Sequence, residues 1–440
     1  MPVTKELLQI WILALFTILI TQLLSAQVGT VSGFIYDQTS GIPLSFVNVW
    51  VKSTSRGTAS NQDGYYILFL SPGKYLIVYS IVGYQRLEKE VVIRENENIN
   101  LNVYLVPDSV EIDTVEVESL PNTNMEPRTI IVRRNEIEKI PPFLGEFDLL
   151  KTLPSFPGVV ERDFSSRLYI QGGYPENNLI LVDGVEVYNI EHSWGIISVF
   201  NSKMVKSVEL IKGGFDATYG DRTSSVINIT TREGNKNKIC ASGNVSLVSF
   251  SGVAEGPTIN NGSWIIGIRR TYFDLLFPRR VLPDYHYFDF NFKIAQPVSK
   301  NSTINISSFI ARDRLVEEGD LRWGTKVIGL NYVYLLNPNW IFNIASDLSS
   351  FGLTRDFTGE NNPDYLDIFG SSIKIRAQNF YKTSVNEIGL ELKKLDLDQW
   401  LSFSKTIFEG IEKGKRTYYY LTFYFQNELR VNKFFVFAWF

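Results

Sequence analysis

The chain has 440 residues, which is long for one hydrophobic core and predicts two or three domains. Its formal net charge of −4 excludes the broad basic surface of a nucleic-acid-binding protein, so no nucleic-acid partner is predicted. With one cysteine, Cys240, and two histidines, His192 and His286, the chain has neither the cysteines for an internal disulfide nor the ligands for a Cys/His zinc site.

Residues 1–26 have the pattern of a signal peptide. Lys5 precedes an apolar run of about 18 residues, and a small residue allows cleavage near Ala26. The run is close to the lower length limit of a membrane helix, so an uncleaved anchor is the alternative. No later segment is a long enough apolar run to cross a membrane as a helix, so any membrane segment further along the chain must consist of strands.

Residues 27–107 predict a small β-sandwich. Short β-prone runs are separated by turn residues, such as Asp63-Gly64 and Pro72-Gly73, at the spacing typical of that fold. The stretch from "GTVSGFIYDQTSGIPLSFVNVWVKS" through "NQDGYYILFLSPGKYLIVYSIVGYQ" resembles the carboxypeptidase-regulatory-like domain, a transthyretin-like sandwich. In that family the domain is an accessory module, so the resemblance implies no peptidase activity. Residues 108–124 follow as a predicted linker.

Residues 125–234 predict a mixed α/β unit. Its first part gives short helical pieces broken by prolines, and "NLILVDGVEVYN" then predicts a hairpin. Asp183-Gly184 suits a type I′ turn there, because both central residues of that turn need a positive φ. Asp183 and Glu186 could also be a carboxylate pair, but the turn explains Asp183 more simply.

Enzymatic signatures are absent from this region. The glycine-rich stretches "QGGYPENN" and "KGGFDATYG" match neither a phosphate-binding loop nor a dinucleotide fingerprint. Neither a nucleophile elbow nor a metalloprotease motif occurs. Cys240 lies in strand-like sequence without an activating neighbour, which disfavours cysteine nucleophile chemistry. We therefore predict no catalytic activity, no cofactor and no metal site.

Residues 235–440 alternate between apolar and polar side chains. "STINISSFI" places Ile304 and Ile306 on one face and Thr303 and Asn305 on the other, and "SIKIRAQ", "EIGLELK" and "WIFNIASDL" repeat the pattern. This alternation is typical of a transmembrane β-barrel, with apolar side chains toward lipid. A soluble β-sandwich has the same alternation and is the alternative. The export signal, aromatic clusters such as "YYYLTFYF" and long polar loops favour the barrel.

Two segments resemble the plug domain of TonB-dependent outer-membrane receptors: "RLYIQGGYPENNLILVDGVEVYN" and "VKSVELIKGGFDATYGDRTSSVINITTREGN". The positions that carry the resemblance are Arg167, Gly172, Gly173, Asp183, Gly184, Glu209, Lys212, Gly213, Tyr219 and Gly220. The resemblance implies a plug inside a barrel, with these residues in structural roles. It further implies an outer-membrane receptor for active uptake of a large, scarce solute of the siderophore, cobalamin, glycan or peptide class.

In that family the periplasmic protein TonB couples energy by pulling on a short Ton box before the plug. The candidate box is Asp113, Thr114, Val115, Glu116 and Val117, an alternating segment suited to strand addition. The order sandwich, box, plug and barrel is similar to receptors common in Bacteroidetes, some of which act with a surface lipoprotein. Outer-membrane lipid and an unknown solute complete the expected partners. A non-transporting binding or signalling protein of the outer membrane is the alternative.

The predicted fold is mainly β: a transthyretin-like sandwich, a small α/β plug and a partial antiparallel barrel. Residues 235–440 contain about ten candidate strands, beginning with one near 240–254. Plugged outer-membrane transporters have about 22 strands, and a barrel of ten is too narrow to enclose a plug of about 100 residues. We therefore expect an open, curved sheet that partly surrounds the plug, as in an incomplete receptor.

Overall fold

The computed structural model describes residues 28–54, 56–108, 129–139, 141–142, 144–162, 165–276, 284–317, 319–357, 364–381, 384–400, 414–431 and 434–439. The predicted signal peptide and the candidate Ton box lie outside the described residues. Within these ranges, no helix combines the length and apolar character needed to cross a membrane.

The first domain is a sandwich of two four-stranded sheets. Its strands are β1 Gly29–Asp37, β2 Asn48–Val51, β3 Gly57–Ala59, β4 Tyr65–Leu70, β5 Gly73–Ser80, β6 Leu87–Ile93, β7 Asn98–Asn100 and β8 Val103–Leu105. One sheet has the order β4-β1-β7 with β8 also paired to β1, and the other has the order β3-β2-β5-β6. Alternate side chains meet between the sheets, so Val31, Ile35, Ile77 and Tyr79 are fully buried.

The middle domain is a small α/β unit. Its helices are α1 Arg134–Ile137 and α2 Leu149–Thr152, and its strands are β9 Thr129–Arg133, β10 Val159–Glu161, β11 Leu168–Ile170, β12 Asn178–Val182, β13 Val185–Glu186, β14 Glu191–His192, β15 Ile197–Ser198, β16 Val205–Ile211 and β17 Ser225–Thr231. Five strands form a mixed sheet of order β13-β12-β17-β16-β9. Leu149, Leu150 and Leu153 belong to its buried core. The helices are short, as the prolines predict.

The third region is one antiparallel sheet of eleven strands, each paired with its neighbours in chain order. The strands are β18 Cys240–Val245, β19 Ser249–Pro257, β20 Ser263–Thr271, β21 Asp284–Ser299, β22 Ser302–Val316, β23 Gly319–Asn337, β24 Trp340–Phe357, β25 Asp364–Phe380, β26 Ser384–Trp400, β27 Gly414–Val431 and β28 Phe434–Trp439, with helix α3 Phe273–Leu276 after β20. No pairing joins β18 to β28 among the described residues, so this part of the sheet is open.

The sheet has eleven strands where about ten were predicted. The candidate strand at 240–254 is two strands joined by a tight turn. Ser246 makes that turn, because its Oγ accepts hydrogen bonds from the backbone N–H groups of Val248 at 3.2 Å and Ser249 at 2.9 Å. A serine that bonds the backbone two and three residues later stops a strand without any glycine or proline.

The two ends of the large sheet differ in their connections. At one end, which we call the long-loop end, the chain segments between strands include 272–283, 358–363 and 401–413. At the other, which we call the short-turn end, they include 300–301, 338–339 and 381–383. The sandwich contacts the short-turn end: the Tyr65 hydroxyl donates to the Pro338 carbonyl at 2.7 Å, and Ile67 packs with Leu335 and Ile341.

Candidate functional site

The Asp183-Gly184 turn has the conformation that the sequence predicts. Val182 pairs with Val185 across a two-residue loop, and φ is +49° at Asp183 and +81° at Gly184. Positive values at both positions are what a type I′ turn requires. The Asp183 carboxylate also accepts hydrogen bonds from the Thr231 backbone N–H at 2.9 Å and from Lys293 Nζ at 3.0 Å. Lys293 belongs to β21, so the turn is tied to the large sheet.

Three further side chains of the large sheet bind the same hairpin. Lys374 Nζ donates to the Gly184 carbonyl at 2.9 Å. Lys393 Nζ forms an ion pair with Glu186 Oε2 at 2.9 Å, and Ser349 Oγ donates to the Glu186 carbonyl at 2.5 Å. Strands β21, β24, β25 and β26 therefore all hold one hairpin of the middle domain.

His192 is a second link between the middle domain and the large sheet. It is fully buried in β14, with Nε2 2.6 Å from Asp289 Oδ1 and Nδ1 2.6 Å from Asp313 Oδ2. Only a protonated imidazole can donate from both nitrogens. Burial alone lowers the pKa of His192, but the two carboxylates outweigh burial and raise it to about 9. The ring therefore carries a positive charge at neutral pH.

Arg269 extends this cluster. Its Nε is 2.6 Å from Asp289 Oδ2, its Nη1 is 3.0 Å from Glu146 Oε2, and its Nη2 donates to the Ser198 carbonyl at 2.7 Å. Glu146 and Ser198 belong to the middle domain, while Arg269 and Asp289 belong to the sheet. We call His192, Arg269, Glu146, Asp289 and Asp313 the interface charge cluster. Buried charges such as these are stable only when paired, so each member fixes the position of the others.

The two faces of the large sheet have opposite characters. Asp289 and Lys293 point toward the middle domain and are buried, whereas Ile373 and Leu392 on the other face are 52% and 51% exposed. A soluble sandwich would bury its apolar face and expose its polar one. Burial of the polar face and exposure of the apolar face is the arrangement of a transmembrane barrel. This observation decides between the two interpretations of the alternating pattern.

The two basic residues of the predicted motif contact other parts of the middle domain. Arg167 Nε lies 2.7 Å from Oε1 of Glu191. Glu191 is the residue that directly precedes His192 in the sequence. Lys212 Nζ donates to the Pro157 carbonyl at 3.0 Å. These contacts join segments within the domain, as expected for residues in structural roles.

Glu209 and Tyr219 lie elsewhere in the domain. Burial raises the pKa of Glu209, whose Oε2 accepts a hydrogen bond from Gln62 Nε2 of the sandwich at 3.1 Å. Tyr219 packs against an apolar cluster that includes Leu179 and Val226. Glu209 thus links the middle domain to the sandwich, which the sequence did not predict.

Three of the remaining glycines of the motif occupy their positions for different reasons, either a positive φ or a close neighbour that leaves no room for a Cβ. Gly172 and Gly213 have φ values of +80° and +79°. A Cβ at Gly173 would collide with the Ser224 side chain. Gly220 has neither a positive φ nor a close neighbour, and nothing in the structure explains a glycine there.

Sequence reasoning missed the interface charge cluster. His192 is separated from Asp289 by 97 residues and from Asp313 by 121. No short motif joins residues so far apart. The only available signal was that Asp289 lies between Phe288 and Phe290 in an alternating strand, at a position that faces inward.

Two domain families match the chain. A CarboxypepD_reg-like domain matches residues 31–117, and a TonB-dependent Receptor Plug Domain matches residues 124–226. The chain belongs to the TonB-dependent receptors. In this receptor the middle domain is the plug, and the interface charge cluster joins the plug to the barrel sheet.

Relatives of this receptor are similar over part of their length. TonB-dependent receptor SusC of Bacteroides thetaiotaomicron is 29% identical over 241 residues, which is 51% of this chain and 23% of SusC. TonB-dependent receptor P39 of Formosa agariphila is 25% identical over 221 residues, which is 48% of this chain and 20% of P39. The matched part of the chain thus spans less than a quarter of these relatives.

The fold is also that of solved receptors. The crystal structure of the siderophore receptor PirA from Pseudomonas aeruginosa aligns with a TM-score of 0.53 at 16% identity, over 70% of this chain and 54% of PirA. At this identity the likeness shows the fold alone. The receptor relatives and the barrel-like sheet together imply an outer-membrane location.

Proposed function

We propose that this receptor takes part in TonB-dependent active uptake of a large, scarce solute across the outer membrane. The observation that carries the proposal is the polar interface between the plug and the barrel sheet. Lys293, Lys374 and Lys393 bind one plug hairpin, and His192 lies between two sheet carboxylates. Ion pairs of this kind can exchange their partners for water when a plug moves, whereas a continuous apolar core cannot.

TonB is the proposed energy-coupling partner, and Asp113–Val117 is the proposed site where it binds. The segment lies in sequence between the sandwich and the plug, in the proposed linker 108–124. An extended alternating segment would pair edge-on with a strand of TonB. The proposed solute is of the siderophore, cobalamin, glycan or peptide class. A surface lipoprotein is a further proposed partner.

The binding step can be tested with the full chain in detergent and the soluble carboxy-terminal domain of TonB. In the variant Val115→Pro/Val117→Pro, two backbone N–H groups are removed, so strand addition loses ladder hydrogen bonds. We expect binding to fall by about tenfold or more, at roughly 1 kcal/mol per hydrogen bond. Asn122→Pro, in the same linker but outside the candidate box, is the matched control and should bind normally.

Uptake by cells that express the receptor completes the test. Accumulation of a labelled solute should require TonB and should be lost when residues 113–119 are deleted. Uptake that survives this deletion would reject the candidate box. TonB-independent accumulation, or solute binding with no uptake, would instead support a non-transporting receptor.

A further inference from the structure

We infer that the sandwich is a clamp that holds plug strand β16 against the short-turn end of the barrel sheet. Three contacts of the sandwich carry the inference: one with β16, one with the chain segment that joins the plug to the sheet, and one with the sheet itself. The clamp belongs to the folded receptor and needs neither TonB nor a transported solute. What the clamp does when TonB pulls on the linker rests on the proposed function.

Residues 61–64, between β3 and β4, form the part of the sandwich that reaches the plug, and we call them the sandwich turn. Asn61 Oδ1 accepts hydrogen bonds from the backbone N–H groups of Asp63 at 3.0 Å and Tyr65 at 2.9 Å, and φ is +81° at Gly64. An asparagine that bonds the backbone a few residues later fixes a turn, and a glycine supplies the positive φ. The backbone of Gln62 is therefore held in place within the turn.

Gln62 binds plug strand β16 at two points. Its Nε2 donates to Glu209 Oε2 at 3.1 Å, and its carbonyl accepts from Lys206 Nζ at 3.1 Å. Residues three apart point to opposite sides of a regular strand, but a β-bulge between Val205 and Ser207 shifts the register, and both side chains reach Gln62. Since β16 lies between β17 and β9, this contact holds the interior of the plug sheet.

The sandwich also binds the connection from the plug to the barrel sheet. The Lys236 backbone N–H donates to the Ser40 carbonyl at 2.8 Å, and Asn237 Nδ2 donates to the Thr39 carbonyl at 2.8 Å. Both carbonyls belong to the turn that follows β1. Residues 232–239 join β17 to β18, so this contact fixes the sandwich at the point where the plug ends and the sheet begins.

An apolar surface of the sandwich is attached to the sheet. Tyr66 of β4 belongs to the sandwich core, whereas Tyr65 and Ile67 point outward and pack with Leu335 and Ile341. Tyr65 and Ile67 are only 3% and 8% exposed, because the sheet covers them. The sandwich is thus fixed to the sheet on one surface while the sandwich turn binds β16, and together the two contacts hold β16 to the sheet.

The clamp acts on β16 more than on β9. Strand β9 is at the edge of the plug sheet and reaches the sandwich at its last residue, where Arg133 Nη2 donates to the Phe46 carbonyl at 3.3 Å. Its first residue, Thr129, lies at the opposite end, paired with Ile211. Tension on the proposed linker 108–124 therefore reaches Thr129 first and separates β9 from β16. The clamp then keeps β16 and the rest of the plug sheet in place.

Hydrogen exchange of the full chain in detergent tests the clamp in the absence of TonB and solute. Gln62→Ala removes the hydrogen bond to Glu209 but keeps the turn, whose own hydrogen bonds come from Asn61. Peptides covering β16 should exchange about tenfold faster, the effect of one hydrogen bond to a carboxylate, and those covering β9 should change by less than about twofold. Gln85→Ala, at an exposed glutamine of the same domain, is the matched control and should change neither.

A second variant releases the sandwich from the sheet without altering any plug contact. Ile67→Asp places a carboxylate in the apolar contact with Leu335 but outside the sandwich core. Peptides covering 335–341 should exchange faster, and those covering β16 should do so by at least about tenfold. Val92→Asp makes the same kind of replacement at a side chain of β6 that is 58% exposed, and it should change neither.

Unchanged exchange of β16 in Gln62→Ala would overturn the inference. So would an Ile67→Asp variant in which 335–341 exchanges faster while β16 does not, because the sheet would then have no part in holding β16. Equal acceleration of β9 and β16 in Gln62→Ala would mean that the sandwich stabilises the plug as a whole, which contradicts a clamp on one strand. Unchanged exchange at 335–341 in Ile67→Asp would contradict the attachment to the sheet. TonB binding is measured separately, so these results stand whether or not the proposed function fails.

Discussion

Replacing His192 with alanine should loosen the plug from the barrel sheet. Asp289 would keep Arg269 at 2.6 Å, but Asp313 would lose its buried cation and keep two neutral donors, the Tyr285 hydroxyl at 2.5 Å and the Ser193 backbone N–H at 3.3 Å. Removing one partner of a buried ion pair costs about 3–5 kcal/mol. The free energy of opening of the plug segment around β14 and β15 should therefore fall by about that amount.

The contribution of His192 should also depend on pH. Its pKa is about 9 in the folded protein and about 6.5 in an unfolded chain. Because the folded value is the higher one, the stabilisation is complete below pH 6.5 and is lost as the pH rises through 9. With 1.36 kcal/mol for each pH unit between the two values, the loss is on the order of 3 kcal/mol.

Hydrogen exchange measured by mass spectrometry on the full chain in detergent checks both effects. At pH 7, plug peptides containing β14 and β15 should exchange about two to four orders of magnitude faster in His192→Ala. After correction for intrinsic rates, their protection in the unaltered chain should fall between pH 6.5 and pH 9. His286→Ala, at the other histidine of the chain, should leave these peptides unchanged. Equal protection in His192→Ala and the unaltered chain, or protection that rises over this pH range, would refute the reasoning.

Two further changes test other contacts. Gly184→Val should lower the free energy of plug unfolding by about 1–3 kcal/mol in denaturant titration, because a β-branched residue is strained at the φ of +81° found there. Gly220→Val should have a smaller effect, since the φ of Gly220 is not positive and its surroundings are open. An equal loss of unfolding free energy in both variants would argue against the turn as the cause. Leu335→Ala should speed hydrogen exchange in β4 of the sandwich by removing packing against Ile67. Ile328→Ala, on the outward face of the same strand, should leave β4 unchanged, and an equal acceleration there would reject the docking contact.

Local chemistry was sufficient for several features of this receptor. The Asp183-Gly184 turn could be predicted because a type I′ turn depends only on the conformations open to two adjacent residues. The two faces of the barrel strands followed from period-two alternation, which assigns Ile373 and Lys374 to opposite sides without knowledge of their neighbours. The short helices followed from the prolines that interrupt them. Each of these features is decided within a few residues of chain.

Tertiary structure decided what those faces and turns contact. Alternation is the same in a soluble sandwich and a barrel, so only the assembled fold shows that the apolar face is the exposed one. In the sequence, the preference of aspartate for turns accounts for Asp183, and nothing nearby indicates its ion pair with Lys293, 110 residues away. The pairing of His192 with Asp289 and Asp313 is equally remote. The stagger of the barrel strands determines which inward side chain lies beside each plug residue, and that stagger is a property of the whole sheet.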